Sequence, residues 1–360
     1  MLEIKHFPAR TWASATQFDT EFSGRAFDSL GFSFDGTMTT GTGTAGEPRD
    51  DGAYRLLGTP ELNQAEDPVI RMQGPDWKFL SALTNGCFPD WLEPTLDGSG
   101  AAGVVLAQAR IKFGRIIPGM LIDASAVKAF LRGSFGAGND YFSSDEADFA
   151  SFAGSIRPYV EARDVPAGGF LRPRITQATV DMSNANADIH YVHRFEVPTV
   201  CAGFMLRQHD ADQTAAGQNT RTDGIVSRIR VEITTRHRQG EIHNFTWGQC
   251  KSFLQQRAGW SQSDLALAVG VGLVPLTEHR NAALGGAMIF EAGDSVTLVI
   301  DNASTSEAQF TKPTPGDNDL LYVTALAGTG TRAAADRNGR VAPAAARPAS
   351  ASAAGRKRLF

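Results

Sequence analysis

The sequence lacks most of the features that mark secreted, membrane-spanning or metal-binding proteins. Its three cysteines, Cys87, Cys201 and Cys250, are widely separated and form no C-x-x-C pair. This spacing excludes a disulfide framework or zinc knuckle and predicts buried, small apolar residues in a reducing compartment. The longest uncharged apolar run, residues 265–276, has about 12 residues, whereas a membrane span needs roughly 20. No apolar segment follows the charged N-terminal residues, so we expect no signal peptide.

Catalytic and nucleotide-binding motifs are also missing. The sequence contains no G-x-S-x-G, no P-loop and no G-x-G-x-x-G that opens a helix after a strand. The glycines of residues 41–46 lie in a threonine-rich stretch without lysine, which predicts a flexible loop. We therefore expect no enzyme activity and no cofactor.

The composition is that of a folded, β-rich protein with room for two domains. Hydrophobic residues make up 42% and charged residues 20%, and the chain has 37 glycines and 22 phenylalanines. The charge is unevenly distributed. Residues 328–360 hold seven Lys or Arg and one Asp, a net +6, whereas residues 1–327 carry −11. Eleven of these last 33 residues are alanine, which predicts a tail that orders only against a partner.

One stretch, Ile225–Gly259, contains the clearest pattern of secondary structure. Alternating apolar residues predict a hairpin with a turn at Gln239-Gly240, and helical spacing then predicts a helix over Trp247–Ala258. Gly259 is the expected helix stop. A similar strand and helix, Val69–Met72 and Trp77–Leu83, occurs about 170 residues earlier. This repetition suggests two similar halves.

Short strands at roughly 10-residue spacing surround both stretches and predict an all-β chain. We predict two consecutive jelly-roll β-sandwiches, each with a short helix, and a short strand at Tyr54–Leu57. Turn-forming residues at Asp164–Gly169 mark the boundary. The expected division is an N-terminal arm (1–23), a first jelly roll (24–166), a second jelly roll (167–327) and a basic Ala/Pro-rich tail (328–360).

Several residue clusters resemble sites but have simpler explanations. His190 and His193, which precede Glu196, are three apart on a strand and should point to opposite faces, unlike metal ligands. His237 and His243 flank the predicted hairpin turn and are interpreted as surface residues. The paired acids Asp50-Asp51 and Asp145-Glu146 are expected at the solvated surface. A sugar-binding platform could use the tryptophans, but two of them, Trp77 and Trp247, begin apolar helical stripes and suit a core better; the five are Trp12, Trp77, Trp91, Trp247 and Trp260.

The layout resembles the double jelly-roll major capsid proteins of tailless icosahedral viruses with an internal membrane, such as corticovirus-like and tectivirus-like bacteriophages. The similar segments are Gly31–Gly36, Val69–Gly74 with the Trp77 helix, Ile111–Gly114 leading to Met120–Ile122, Ile225–Val231 and Phe245–Trp247. The resemblance implies a homotrimeric shell subunit without catalytic residues, which contacts neighbouring capsomers and penton and minor capsid proteins. It also implies synthesis in the host cytoplasm and a final location in the virion.

The two chain ends are the candidate contact sites of such a subunit. Near anionic lipid a basic residue gains about 1 kcal/mol, so we expect the termini to meet an internal membrane or the genome. The candidate residues are Phe7, Trp12, Arg356, Lys357, Arg358, Leu359 and Phe360. A solvated tail without such a role is the simpler alternative. For the whole chain, the alternatives are a carbohydrate-binding or carbohydrate-active jelly-roll protein and a two-domain amidase.

Overall fold

The computed structural model describes residues 3–41, 48–65, 67–96, 98–125, 127–142, 149–165, 169–182, 189–209, 221–235, 238–302 and 319–330. Twenty strands and five α-helices lie in these ranges. The strands are β1 Glu3–His6, β2 Arg10–Thr11, β3 Gln17–Phe22, β4 Ala26–Thr40, β5 Glu61–Gln64, β6 Asp67–Arg71, β7 Trp91–Leu92, β8 Ala102–Lys112, β9 Ile122–Asp123, β10 Ala129–Ser134, β11 Phe149–Arg163, β12 Leu171–Asp181, β13 Ile189–Arg194, β14 Thr199–His209, β15 Val226–Thr235, β16 Arg238–Thr246, β17 Val271–Pro275, β18 Met288–Phe290, β19 Ser295–Asn302 and β20 Leu320–Gly330. The helices are α1 Gly52–Arg55, α2 Gly74–Asn85, α3 Phe113–Ile116, α4 Trp247–Ala258 and α5 Gln262–Leu267.

The second half of the chain, β12–β20, forms a sandwich that we call the second unit. One layer has the strand order β17-β14-β20-β12, and the other has the order β13-β19-β15-β16. A buried apolar cluster that includes Ile229, Val231 and Phe290 fills the space between the layers. Strands that alternate between two facing antiparallel layers in this order form a jelly roll.

The first half, β1–β11, repeats this arrangement and is called the first unit. Its layers have the orders β8-β4-β11-β1 and β6-β5-β10-β3. Each of the eight strands in these two layers therefore has an equivalent in the second unit. The equivalent pairs are β1 and β12, β3 and β13, β4 and β14, β5 and β15, β6 and β16, β8 and β17, β10 and β19, and β11 and β20. Helices α2 and α4 follow the equivalent strands β6 and β16. The predicted double jelly roll, with a helix in each half, is confirmed.

The two units share one sheet. Strand β6 of the first unit pairs in parallel with β12 of the second, with Ile70 opposite Ile175 and Thr176 opposite Arg71. Two four-stranded layers thereby join into a nine-stranded sheet that also includes β18. The chain crosses from one unit to the other between Arg163 and Leu171, around the predicted boundary. Residues 166–168 of that boundary lie outside the described ranges.

Residues 3–23, predicted as an arm, supply strands to both layers of the first unit. Strands β1 and β2 pair with β11 on either side of Pro8, a residue that only an edge strand accommodates easily. Strand β3 alternates between exposed and buried residues and pairs with β10. The alternation buries Phe18 and Phe22 in the core.

Some local predictions are wrong. Residues 54 and 55, predicted as strand, belong to α1. The predicted turn at Gln239-Gly240 lies inside β16. Gly240, with φ 79°, is the extra residue of a bulge, and Thr235 pairs with Arg238 beyond it. Strand β20 continues to Gly330, past the predicted start of the tail. The remainder of the tail, 331–360, lies outside the described residues, as do residues 42–46 of the glycine-rich loop.

Candidate functional site: the charged joint between the units

The contact between the two units contains a cluster of buried charged side chains, which we call the charged joint. Helix α2 of the first unit contributes Asp76 and Lys78, and the segment after β4 contributes Asp51. The second unit contributes Arg207 from β14 and Arg221, which precedes β15. Helix α2 lies in this contact with 11 of its 12 residues buried, and its two charged residues, Asp76 and Lys78, are both paired.

The most buried ion pair of the joint crosses between the units. Arg207 donates from Nε to Asp76 Oδ1 at 3.1 Å and from Nη2 to Asp76 Oδ2 at 2.8 Å. It also donates to Gln73 Oε1 at 3.1 Å and lies 4.1 Å from the centre of the Tyr322 ring. Burial alone would lower the pKa of Arg207, but Asp76 raises it. The two-pronged geometry fixes α2 against β14 in both distance and orientation.

Asp51 is the centre of the second part of the joint. Its Oδ1 accepts from Lys78 Nζ at 2.8 Å, and its Oδ2 lies 2.9 Å from Arg221 Nε. Burial would raise the pKa of Asp51, but Lys78 and Arg221 hold it well below its usual value. Lys78 also lies 4.1 Å from the ring centre of Trp91. A first-unit carboxylate thus holds one cation from each unit.

Two further groups of the joint have unusual protonation. Burial, followed by the nearby Arg55 and Arg207, lowers the pKa of His209 well below its ordinary value. The neutral ring accepts a hydrogen bond at Nε2 from Arg55 Nη2 at 2.5 Å, again across the units. Burial raises the pKa of Glu93 to about 7, although Lys78 opposes the shift. The Glu93 carboxylate accepts from the backbone N–H of Ala53 at 2.8 Å.

The geometry suits a rigid joint. Asp76 accepts two hydrogen bonds from Arg207, and Asp51 is paired with both Lys78 and Arg221, so little charge is left to act on a substrate. Across the described ranges, no group of three or more His, Cys, Asp or Glu side chains is placed to hold a metal ion. A neighbouring groove of about 250 Å³ is mainly apolar and includes Leu83, Phe253 and Leu326 from both units.

The histidines and the paired acids have different outcomes. His190 is exposed and His193 is half-buried, and they lie on opposite faces of β13 as predicted. Asp50-Asp51 were expected at the solvated surface, which is wrong for Asp51. That residue is 2% exposed because Lys78 and Arg221 pair with it. His237, Asp145 and Glu146 lie outside the described residues.

Most predicted core residues are in the core. Trp77 and Trp247 are buried, as are Trp12 and Trp260, and Trp91 is half-buried over Lys78. Cys201 and Cys250 are buried as predicted. Cys87 is exposed, so the prediction is wrong there. It follows Gly86, where α2 ends and the chain returns to the surface.

The predicted contact residues at the N-terminus pack within the first unit. The Trp12 ring is buried and donates from Nε1 to the Leu56 carbonyl at 3.1 Å. The ring of Phe7 meets that of Phe22 edge-on at 4.6 Å. Arg356, Lys357, Arg358, Leu359 and Phe360 lie outside the described residues. Contact between these seven residues and a membrane or genome stays a prediction.

Comparison with known proteins gives matches in structure but not in sequence. A scan against protein-family models and a search of curated proteins find no match. The major capsid protein of Sulfolobus turreted icosahedral virus matches with a TM-score of 0.64 at 10% identity, over 91% of this chain and 97% of that chain. The PBCV-1 virus capsid matches with a TM-score of 0.56 at 12% identity, over 91% and 93%.

A bacteriophage protein is also similar. The major capsid protein P2 of bacteriophage PM2 matches with a TM-score of 0.51 at 7% identity, over 91% of this chain and 97% of that chain. Because the likeness covers nearly the whole length of both chains in every case, it includes both units. The chain has the double jelly-roll fold.

Proposed function

We propose that this chain is a major capsid protein, the structural subunit that assembles into the icosahedral shell of a virus. The observation that carries the proposal is the match of both units together, over 91% of the chain, to two viral capsid proteins with TM-scores of 0.64 and 0.56. A single jelly roll hosts many functions, whereas these similar structures share the paired arrangement. The proposed location is the virion, after synthesis in the host cytoplasm.

The charged joint supports this role. A shell subunit contacts several neighbouring subunits at once, so the relative orientation of its two units must stay fixed. Here a shared sheet and two ion pairs that cross between the units, Arg207 with Asp76 and Arg221 with Asp51, hold the units in one relative orientation. We further propose that three copies form a trimer of six similar units, because six units suit a six-sided building block. Neighbouring trimers, penton proteins and minor capsid proteins are the expected partners.

The carbohydrate alternative receives less support. A sugar platform needs exposed aromatic faces, but four of the five tryptophans are buried and the fifth, Trp91, covers Lys78. The amidase alternative needs a cleft with available carboxylates. The carboxylates of Asp51 and Asp76 are instead buried against cations. We therefore propose a structural protein without enzyme activity.

The tail has a proposed role of its own. Its net charge of +6 faces a body of −11, so we propose that Arg356, Lys357 and Arg358 contact anionic lipid or the genome inside the shell. Together they would contribute roughly 3 kcal/mol to binding of anionic lipid, with Leu359 and Phe360 as an apolar addition. Among the described residues, no helix has the length and apolar character to cross a bilayer.

Native mass spectrometry and electron microscopy of the purified full chain test the main proposal. We expect trimers and, on lowering the salt concentration or raising the protein concentration, larger shells. A monomer at every salt and protein concentration, or hydrolysis of a glycan panel, would contradict it.

Co-flotation with vesicles containing phosphatidylserine, with and without residues 331–360, tests the tail. Equal flotation of the two chains would exclude the lipid contact.

A further inference from the structure

The ends of helices α2 and α4 lie side by side across the contact between the units. An added Cβ at Gly86, which ends α2, would lie 3.1 Å from the carbonyl oxygen of Ala258 at the end of α4. In the same place Arg257 of α4 donates from Nη2 to the carbonyl oxygen of Ile116 in the first unit at 2.7 Å. These contacts position the walls of the groove of about 250 Å³ that adjoins the charged joint.

The walls of this groove are mainly apolar and come from both units. The first unit contributes the buried side chains of Leu83 and Ile116, and the second contributes those of Leu273 and Leu326. The half-buried ring of Phe253, on α4, completes the apolar lining. Apolar pockets for drug-sized ligands measure about 300–1,000 Å³. The groove, at about 250 Å³, therefore has room for a single alkyl chain and not for a bulky ligand.

Two arginines, Arg115 and Arg257, give the groove a positive charge. Both lie at the surface, and no Asp or Glu of the described ranges lines the groove beside them. Arg257 donates to the backbone carbonyls of Arg115 and Ile116. Partial burial lowers the pKa of Arg257, and no charged neighbour in the described part of the chain offsets the shift. The groove thus presents two cations without a counter-charge, although residues 1–327 carry a net −11.

We propose that this groove binds a fatty acid, with the alkyl chain between the two units and the carboxylate against Arg115 and Arg257. An alkyl chain gains binding free energy from each methylene that it removes from water. A guanidinium group presents a fork of N–H donors that matches the two oxygens of a carboxylate. An uncharged lipid would leave the two cations without a counter-charge. The inference does not depend on the proposed function, and either can fail without the other.

Isothermal titration calorimetry of the full chain tests the proposal. The ligands are hexanoate, octanoate, decanoate and 1-octanol, each below the concentration at which it forms micelles. We expect one site per chain and an affinity that rises about tenfold for every two carbons added to the acid. Octanoate should bind about fivefold or more tightly than 1-octanol, because only the acid pairs with the arginines. No saturable binding of decanoate, or equal binding of octanoate and 1-octanol, would overturn the proposal.

Two variants and a matched control locate the site. Arg115→Gln removes one cation and should weaken decanoate binding about two- to fivefold, whereas Arg10→Gln, at an exposed position on β2, should leave it unchanged. Ala202→Leu adds bulk at a position that lines the groove and should weaken binding tenfold or more. Melting temperatures without ligand that match the unmodified chain would show that each variant is folded. Unchanged decanoate binding in both Arg115→Gln and Ala202→Leu would overturn the proposal.

The competing occupant of the groove is the tail of the same chain. Strand β20 supplies Leu326 to the groove and ends at Gly330, and the sequence beyond it includes the apolar pair Leu359-Phe360. Titration of decanoate into the chain without residues 331–360 separates the two occupants. We expect the same affinity as for the full chain. Binding of decanoate only after removal of residues 331–360 would identify the tail as the occupant and overturn the proposal.

Discussion

Helices α2 and α4 have the same length, the same place in the fold and the same lysine-to-aspartate contact, yet one is almost fully buried and the other is half bare. The sequences of the two helices explain this difference in burial. Helix α2 has Phe79 and Leu83 where α4 has Ser252 and Gln256. A repeated unit can therefore keep its architecture while each copy adapts one helix face to its own neighbour. For α2 that neighbour is the second unit of the same chain.

The largest expected effect comes from breaking the ion pair that joins α2 to the second unit. Arg207→Ala leaves Asp76 buried without its cation, which should lower the free energy of unfolding by about 3–5 kcal/mol. The exposed pair between Arg172 and Asp67 also joins the two units. Its removal by Arg172→Ala should cost about 1 kcal/mol or less. Urea unfolding measures both, and a similar cost for the two variants would contradict the role of the joint.

The second comparison concerns the two equivalent lysines. The side chains of Lys78 and Asp51 are 3% and 1% exposed, whereas those of Lys251 and Asp223 are 17% and 33% exposed. Lys78→Met should therefore cost about 3 kcal/mol and Lys251→Met about 1 kcal/mol. The same urea titration measures both values. If Lys251→Met were the more damaging change, burial in the joint would not explain the difference between the helices.

Much of this architecture could be predicted from local sequence, but the joint could not. The bounds of α4 were predicted correctly because its signals are local: Thr246 and Gln249 form a capping box and Gly259 ends the helix. The hairpin turn before it was misplaced, because a glycine suits a turn and a bulge alike, and Gly240 is the extra residue of a bulge in β16. The division into two units was predicted from the strand and helix that recur in each half of the sequence.

The charged joint depends on contacts between residues far apart in the chain. Asp76 and Arg207 are separated by 131 positions, and Asp51 and Arg221 by 170. Nothing near Asp51 distinguishes it from a surface acid, so its burial was missed. One signal was available. Lys78 lies between Trp77 and Phe79, and a lysine among large apolar residues of a buried helix needs an acidic partner.

A pH titration sharpens the contrast between joint and surface. His209 is neutral in the folded chain, with its pKa well below the ordinary value of 6.5. The unfolded chain binds a proton there below about pH 6.5 and the folded chain does not, so folding free energy is lost as the pH falls. The slope approaches about 1.4 kcal/mol per pH unit for one proton. We expect His209→Gln to lose less stability than the unmodified chain between pH 6.5 and 5.

Glu93 changes the pH dependence of stability in the opposite direction, so its contribution has to be measured separately from that of His209. Its pKa rises from 4.5 to about 7 on folding. The folded chain then holds the extra proton, so this contribution is present at low pH and is lost as the pH rises from about 4.5 through 7. We therefore expect Glu93→Gln to make the acid loss of stability steeper. A steeper acid loss in His209→Gln than in the unmodified chain would contradict the assignment of His209.

The smallest effect compares the glycines that end the two helices. Gly86 and Gly259 both adopt positive φ, which costs an L-residue about 1–2 kcal/mol, so Gly86→Ala and Gly259→Ala should each destabilise by this amount. An added Cβ at Gly86 would lie 3.1 Å from the Ala258 carbonyl oxygen at the end of α4, whereas one at Gly259 would meet nothing within 4 Å. Gly86→Ala should thus cost a few tenths of a kcal/mol more, because the α2 end is packed and the α4 end is open. Asparagine tolerates this conformation better than alanine, so Gly259→Asn should recover part of the loss. Equal costs for the two alanine variants in replicate urea titrations would show that the ends of α2 and α4 do not constrain each other.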